Sequence, residues 1–433
     1  MENCDISKID LDVLWHPCTQ MKDHESFPVI AIDRAKGVYL YDFDGNEYID
    51  AISSWWVNIF GHSNDYINQK IKEQLEKLEH VILAGFTHEP IVRLSQRLIK
   101  LAPDGLSRCF YADNGSSAIE VALKMSYHYH KNRGRDKSLF VSLTNSYHGE
   151  TIGALSVGDV QLYKETYEPL LIRSITTPAP KNQSIESALE AVSSLKELLE
   201  SRHSEISALI VEPLIQGAGG MRMYHPLFLT KAKELCSEYG VHFIADEILV
   251  GFGRTGTMFA CEQAGIAPDF LVLSKALTGG YLPLSVVLTN DEVYGAFYSD
   301  YSEYRAFLHS HSYTGNPLAC AAANATLDIF ESENVIENNR KTIDYIAQKL
   351  KTFDDLEYVK ETRQCGMIGA IELEGFNPAR RVGLEIHHFC LKRGILVRPL
   401  GDVIYVMTPY TITASELDRV FDAIKEAITT LGR

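Results

Sequence analysis

None of the eight cysteines (Cys4, Cys18, Cys109, Cys236, Cys261, Cys320, Cys365 and Cys390) pairs with another in a CxxC spacing. Neither a zinc ligand set nor a dithiol redox motif is therefore expected. Positive charge is also short: 41 Lys and Arg stand against 57 Asp and Glu, a formal net charge of -16. Such a chain repels phosphate backbones and anionic lipid, which argues against nucleic acid and membrane surfaces as partners. No apolar run approaches the ~20 residues of a membrane span. The start MENCDISKID is acidic and lacks the basic and apolar regions of a secretory signal. The expectation is a soluble chain in a reducing cytoplasm, with free thiols and no metal. Repeats and low-complexity tracts are missing too. The 433 residues, 45% hydrophobic and 23% charged, form an ordinary globular composition long enough for two domains, or for one large domain with a lid.

The stretch from Val241 to Gly280 dominates what is present. Val241-His242-Phe243-Ile244-Ala245 is apolar enough for a buried parallel strand and delivers Asp246 and Glu247 at its carboxyl end. Phe270-Leu271-Val272-Leu273 reads the same way and ends in Ser274-Lys275. Open α/β sheets collect ligands at the carboxyl ends of their strands, so Asp246 and Lys275 are expected to face one crevice. Pyridoxal 5'-phosphate needs this pair: a lysine amine for its aldehyde, and a carboxylate to keep its ring nitrogen protonated. Taken singly, either residue reads as a surface lysine or a capping aspartate. Between them, Gly251-Phe252-Gly253-Arg254-Thr255-Gly256 matches a dinucleotide fingerprint literally and keeps a nicotinamide-dependent dehydrogenase as a rival. No helix opens directly after it, and Pro268 follows soon, so an irregular loop between strands is expected instead.

The flanking segments add further groups. Trp15-His16-Pro17-Cys18 reads as a packed amino-terminal arm. Val38–Tyr41 and Glu47–Asp50 flank Asp44-Gly45 and predict a β-hairpin. Trp55 and Trp56 are expected in the loop that follows, as core or as a pocket wall. Arg108–Tyr111, a small polar loop and the helix from Ala118 make strand, loop, helix. Gly115 and Ser116 at the helix start, with Ser117 beside them, suit a phosphate through free amides and the dipole, beyond ordinary capping by Asn114 or Ser116. Tyr147 suits stacking on a flat ring, or capping a turn. Alternating strands and helices from about Leu101 to Leu288 predict a doubly wound, mostly parallel sheet with right-handed crossovers. His309 and His311 lie two apart without an acid or thiol at ligand spacing, so metal is not expected there. Beyond residue 318 the pattern shifts to a smaller α+β domain. Within it Arg398, at a strand end, reads equally as a carboxylate clamp or a surface ion pair. The expected organisation is an arm and hairpin over 1–62 joining the small domain, a large α/β domain over 63–317, and the small domain over 318–433.

ADEI at Ala245, SKALTGG at Ser274 and GNPLA at Gly315 together resemble the class III pyridoxal-phosphate-dependent aminotransferases of fold type I, and the resemblance runs from Trp15 into the last helix. The WHP arm, the SSWW loop, GYLPL and RPLGDVIY are similar, within that class, to its biotin-synthesis members. The resemblance implies that Lys275 bonds the cofactor, Asp246 contacts the pyridinium and Tyr147 stacks on the ring. Gly115 and Ser116 would bind the phosphate, and Ser312 would reach the phosphate of a neighbouring subunit in a homodimer. Trp55, Trp56, Arg254, Arg398 and Tyr405 would shape the substrate site, with Tyr147 beside them. The implied substrates are S-adenosylmethionine as donor and 8-amino-7-oxononanoate as acceptor, in a ping-pong cycle through pyridoxamine phosphate. Alternatives are a lysine donor, acetylornithine or ω-amino acid substrates, and a cofactor-binding regulatory protein. The chain departs from the class at Cys18, where Tyr is usual, so that phenol is lost or supplied elsewhere. Ser312 stands where Thr is common and keeps the hydroxyl.

Overall fold

The computed structural model describes residues 3–431; the side chain of Cys4 lies outside what is described, so the free-thiol expectation there has no counterpart. The other seven cysteines are free. A seven-stranded sheet runs in the order Leu106–Ala112, Ser285–Asn290, Phe270–Leu273, His242–Asp246, Ile206–Val211, Leu139–Leu143, Ser174–Thr177. Ser285–Asn290 is antiparallel to both its neighbours, and every other pairing is parallel. The central strands Ile206–Val211 and Phe270–Leu273 are buried along their whole length, which is why they read as unbroken apolar runs rather than alternating ones. Helices cover the sheet, among them Gly115–Asn132, Ile185–Arg202 and Leu227–Glu238. The glycine-rich 251–256 segment is a loop, as its context suggested.

A second core lies at the other end of the chain. Tyr39–Asp42 and Glu47–Asp50 pair as the expected hairpin, and Ile395–Leu396 adds in parallel beside Glu47–Asp50. Val359–Cys365, Ile368–Leu373 and Val403–Val406 form a three-stranded antiparallel sheet. Val38 and Ile49 share one buried cluster with Phe353, Ile386 and Phe421, so the amino-terminal strands pack with the carboxyl-terminal segment. The helix Pro317–Glu333 differs from the expected partition. Its Ala319, Leu327 and Phe330 are buried in the core of the large sheet, so the start of the 318–433 segment packs with the preceding body.

Three further differences have local causes. Trp15 is 89% exposed in the single chain, where a packed arm was expected. The strands Ile32–Lys36 and Val359–Cys365 escaped the sequence reading because charged residues occupy much of both. Trp55 and Trp56 sit on a short turn rather than an open loop, with positive φ at Ser53 (50°), Ser54 (45°), Trp55 (72°) and Trp56 (75°). A left-handed turn costs about 1–2 kcal/mol per L-residue, and neighbours hold it in place. Ser53 Oγ donates to the Met407 carbonyl at 2.8 Å, and Ser54 Oγ donates to buried Asp50 at 2.7 Å. Among the described residues no helix is long and apolar enough to cross a membrane, and no cluster of three His, Cys, Asp or Glu could hold a metal ion.

Candidate active site

Five strands of the large sheet end at one pocket. Leu106–Ala112 leads to Asn114, Gly115 and Ser116; Leu139–Leu143 leads to Tyr147 and His148; Ile206–Val211 leads to Glu212. His242–Asp246 ends in Asp246, Phe270–Leu273 leads to Lys275, and all of these residues line the pocket with Trp56. The convergence follows from parallel strands presenting their carboxyl ends on the same side.

Asp246 is 5% exposed and held from two directions. Its Oδ1 accepts the Ile248 amide at 3.1 Å, and its Oδ2 pairs with His148 Nδ1 at 2.7 Å. His148 Nε2 is buried with no partner among the described residues, so this imidazole turns its one bonded nitrogen to the carboxylate. Glu212 accepts the Tyr147 amide with one oxygen and the Gly217 amide with the other, each at 2.9 Å. Burial pushes its carboxyl up to about 7; nearby His148 opposes the rise and Asp246 adds to it. Neither His148 nor Glu212 was singled out as a site residue from the sequence. The one signal available was position: His148 follows Tyr147, and Glu212 ends an apolar strand.

Lys275 follows the strand end with φ of 46°, a conformation that surrounding structure must impose on an L-residue. Its Nζ stands 4.4 Å from the centroid of the Trp56 ring. Desolvation by the pocket walls draws the amine down to about 8, against the pull of Asp246 and Glu212, and Arg254 adds to the fall. Across the pocket, Asn114 caps the helix Gly115–Asn132 by accepting the Ser117 amide at 3.0 Å. The first-turn amides of Gly115 and Ser116 then have no hydrogen-bond partner among the described residues. Two glycines keep this corner open. A Cβ on Gly115 would meet Ile248 at 3.0 Å, and one on Gly149, at φ of 124°, would meet Ser116 Oγ at 2.0 Å. An amine, a buried carboxylate, an orphaned imidazole nitrogen and free helix-start amides fit the aldehyde, ring and phosphate of pyridoxal phosphate.

The remaining predicted residues divide. Trp56 is 4% exposed, and its indole Nε1 donates to the Tyr405 hydroxyl at 2.9 Å. Trp55 turns outward, 40% exposed, under the Arg398 guanidinium at 4.9 Å. Arg254 does not line the pocket: fully buried, it donates to the carbonyls of Thr408 (2.7 Å), Asn58 (3.3 Å) and Trp56 (3.4 Å), and so braces the backbone behind Trp56. Ser312 is exposed and lies outside the pocket of its own chain.

Comparison with known proteins identifies the family. Residues 19–428 match the family described as Aminotransferase class-III. The chain is 54% identical to the adenosylmethionine-8-amino-7-oxononanoate aminotransferase of Helicobacter pylori, over 99% of this chain and 98% of that one. It is 41% identical to the protein of that name from Geobacter sulfurreducens, with 96% of each covered. The crystal structure of the Methanocaldococcus jannaschii protein of that name superposes with a TM-score of 0.95, at 38% identity and 99% coverage of both chains. An ω-transaminase from Pseudomonas jessenii in complex with PMP superposes at 0.92, with 27% identity, covering 98% of this chain and 97% of that one. Matched along almost its whole length by the family and by relatives this similar, the chain belongs to the class-III aminotransferases.

Proposed function

We propose that the chain moves an amino group from S-adenosylmethionine to 8-amino-7-oxononanoate, giving 7,8-diaminononanoate for biotin synthesis, with pyridoxal 5'-phosphate as cofactor. The observation that carries this reading is the pairing of Lys275 and buried Asp246 in one pocket of a chain 54% identical, end to end, to an enzyme of that name. Lys275 would hold the cofactor aldehyde. Asp246, fixed by His148 and the Ile248 amide, would hold the ring nitrogen, and Tyr147 would cover the ring. Gly115 and Ser116 would take the phosphate, with Ser312 of a second copy completing that corner in a homodimer working in the cytoplasm. When bound, pyridoxal phosphate supplies an aldehyde that accepts the amino group and a ring that draws electrons from the carbon bearing it.

The chain's own groups do the rest. With its proton affinity drawn down to about 8, the Lys275 amine is partly unprotonated near neutral pH. It can take a proton from the substrate carbon and return it elsewhere, as a general base and then acid. Trp56, anchored by Tyr405, closes one side of the pocket against water. Arg398 suits the carboxylate of the long acceptor, and Trp55 offers that acceptor's aliphatic chain a flat face; a sulfonium donor also favours aromatic walls.

Borohydride reduction followed by peptide mapping should tag Lys275, and a tag on another lysine would overturn its role. A donor panel with 8-amino-7-oxononanoate as acceptor tests the substrates, comparing S-adenosylmethionine, lysine, ornithine and 4-aminobutyrate. Product with S-adenosylmethionine alone supports the assignment; no product from this acceptor with any donor refutes it.

A further inference from the structure

Tyr163, on the short helix Gln161–Lys164, packs behind pocket-lining Tyr147 although nothing in the sequence marks it. Its ring meets that of pocket-lining Tyr147 edge-on, with centroids 5.5 Å apart and 62° between planes. Its hydroxyl lies 3.8 Å from the exposed Cys18 thiol. The Cys18 backbone carbonyl accepts Arg398 Nη2 at 2.9 Å, so Tyr163 and Arg398 share one neighbour from opposite ends of the chain. Trp55 supports the guanidinium from beneath.

The donors of this rim are unsatisfied. A thiol is a weak acceptor, so the contact with Cys18 leaves the Tyr163 O–H without a strong partner. Arg398 has no carboxylate partner among the described residues, and the Cys18 carbonyl occupies only one of its five N–H groups. The acid of the rim is already engaged, because Glu150 accepts the Tyr147 hydroxyl at 3.0 Å. Burial, with Cys18 and Glu150 adding and Arg398 opposing, pushes the Tyr163 phenol up to about 12, so it keeps its proton and remains a donor at neutral pH.

We infer that Tyr163 is a second donor beside Arg398, the two forming a clamp for the carboxylate of an extended substrate in which Tyr163 adds to the preference for an acid over a neutral chain end. A carboxylate accepts a phenol and a guanidinium at once, and the phenol's hydrogen bond to that charged acceptor is stronger than the one it makes to a neutral carbonyl. A chain reacting at Lys275 would have to run past Trp56 toward Cys18 to reach the clamp. Only the identity of the acid rests on the proposed amination of 8-amino-7-oxononanoate.

The test is a cycle over two enzymes and two acceptors: wild type and Tyr163→Phe, each with the keto acid and with its carboxamide. Loss of one hydrogen bond to a charged group predicts that Tyr163→Phe raises KM for the acid about tenfold. KM for the amide should rise no more than about threefold and kcat for either should change less than about twofold, with the donor half-reaction untouched. Equal changes for acid and amide, or a change confined to the donor, would overturn the clamp. A second measurement needs no variant. The acid, and not the amide, should protect Cys18 of the wild-type holoenzyme from a thiol reagent, read by peptide mapping; unchanged labelling with saturating acid refutes the placement. Should the wild type leave 8-amino-7-oxononanoate unreacted, the proposed function fails, and the same acid and amide comparison on whichever keto acid it does turn over still decides the clamp.

Discussion

Replacing Lys275 by Met should make the cofactor-free protein more stable at neutral pH. The amine ordinarily loses its proton at 10.5, and desolvation in the pocket brings this to about 8. A fall of about 2.5 pH units corresponds to about 3.5 kcal/mol, at about 1.4 kcal/mol per unit. The Trp56 ring under Nζ favours the charged form by about 1 kcal/mol, which leaves about 2.5 kcal/mol against the folded wild type. The sign follows from proton counting. Between pH 8 and 10.5 the unfolded chain binds a proton that the folded chain has lost, so wild-type stability rises with pH through that window. Below about pH 8 the full penalty stands. Methionine carries no charge, so its advantage is largest at pH 7 and fades toward pH 10.5. Urea unfolding of both proteins at pH 7 and pH 10, followed by tryptophan fluorescence, measures the difference. A wild type at least as stable as Lys275→Met at pH 7, or a gap that does not shrink at pH 10, would refute the desolvation argument.

Asp246→Asn should retain cofactor absorbance yet slow the donor half-reaction about 10²–10⁴-fold, since the amide cannot hold a proton on the ring nitrogen; stopped-flow spectra with excess donor measure it. Arg254→Leu leaves the carbonyls of Trp56, Asn58 and Thr408 buried without their donor, and a loss of about 3 kcal/mol is expected in thermal or urea melts. Buried His130, whose Nε2 donates to the Ser207 carbonyl, is drawn down by desolvation to about 4. Its folded form therefore refuses a proton that the unfolded chain takes up below pH 6.5, and stability falls as pH drops from 6.5 to 4. His130→Gln keeps a donor for that carbonyl and should lessen this acid loss by about 2 kcal/mol between pH 7 and pH 5, read as urea midpoints at those two values.

Asp246 and Lys275 were legible because each ends an apolar, β-branched run, and parallel strands present their ends together. The free helix-start amides of Gly115 and Ser116 were legible for a similar reason, as strand, small loop and helix are contiguous. Arg254 was not: a guanidinium in a glycine-rich loop reads as a ligand group until the carbonyls it meets, which belong to residues 56, 58 and 408, are known. The paired tryptophans carried no sign of which would be buried, because the left-handed turn that separates them is imposed by Asp50 and Met407. Tyr163 stayed invisible for want of any local pattern. The phenol absent at position 18 is met, across 145 residues of chain, by one that only the fold sets against it.

That distance has a temporal side. Trp56 reaches its Tyr405 partner across 349 residues, and Ser53 its Met407 partner across 354. On a ribosome adding about 5–20 residues per second, the large sheet can form well before these partners emerge. During that interval Trp56 and Lys275 have both been made, but Tyr405 and Met407, which hold the Trp56 turn in place, have not. The shielding of the Lys275 amine by Trp56 is therefore expected to be among the last features of the site to form during synthesis.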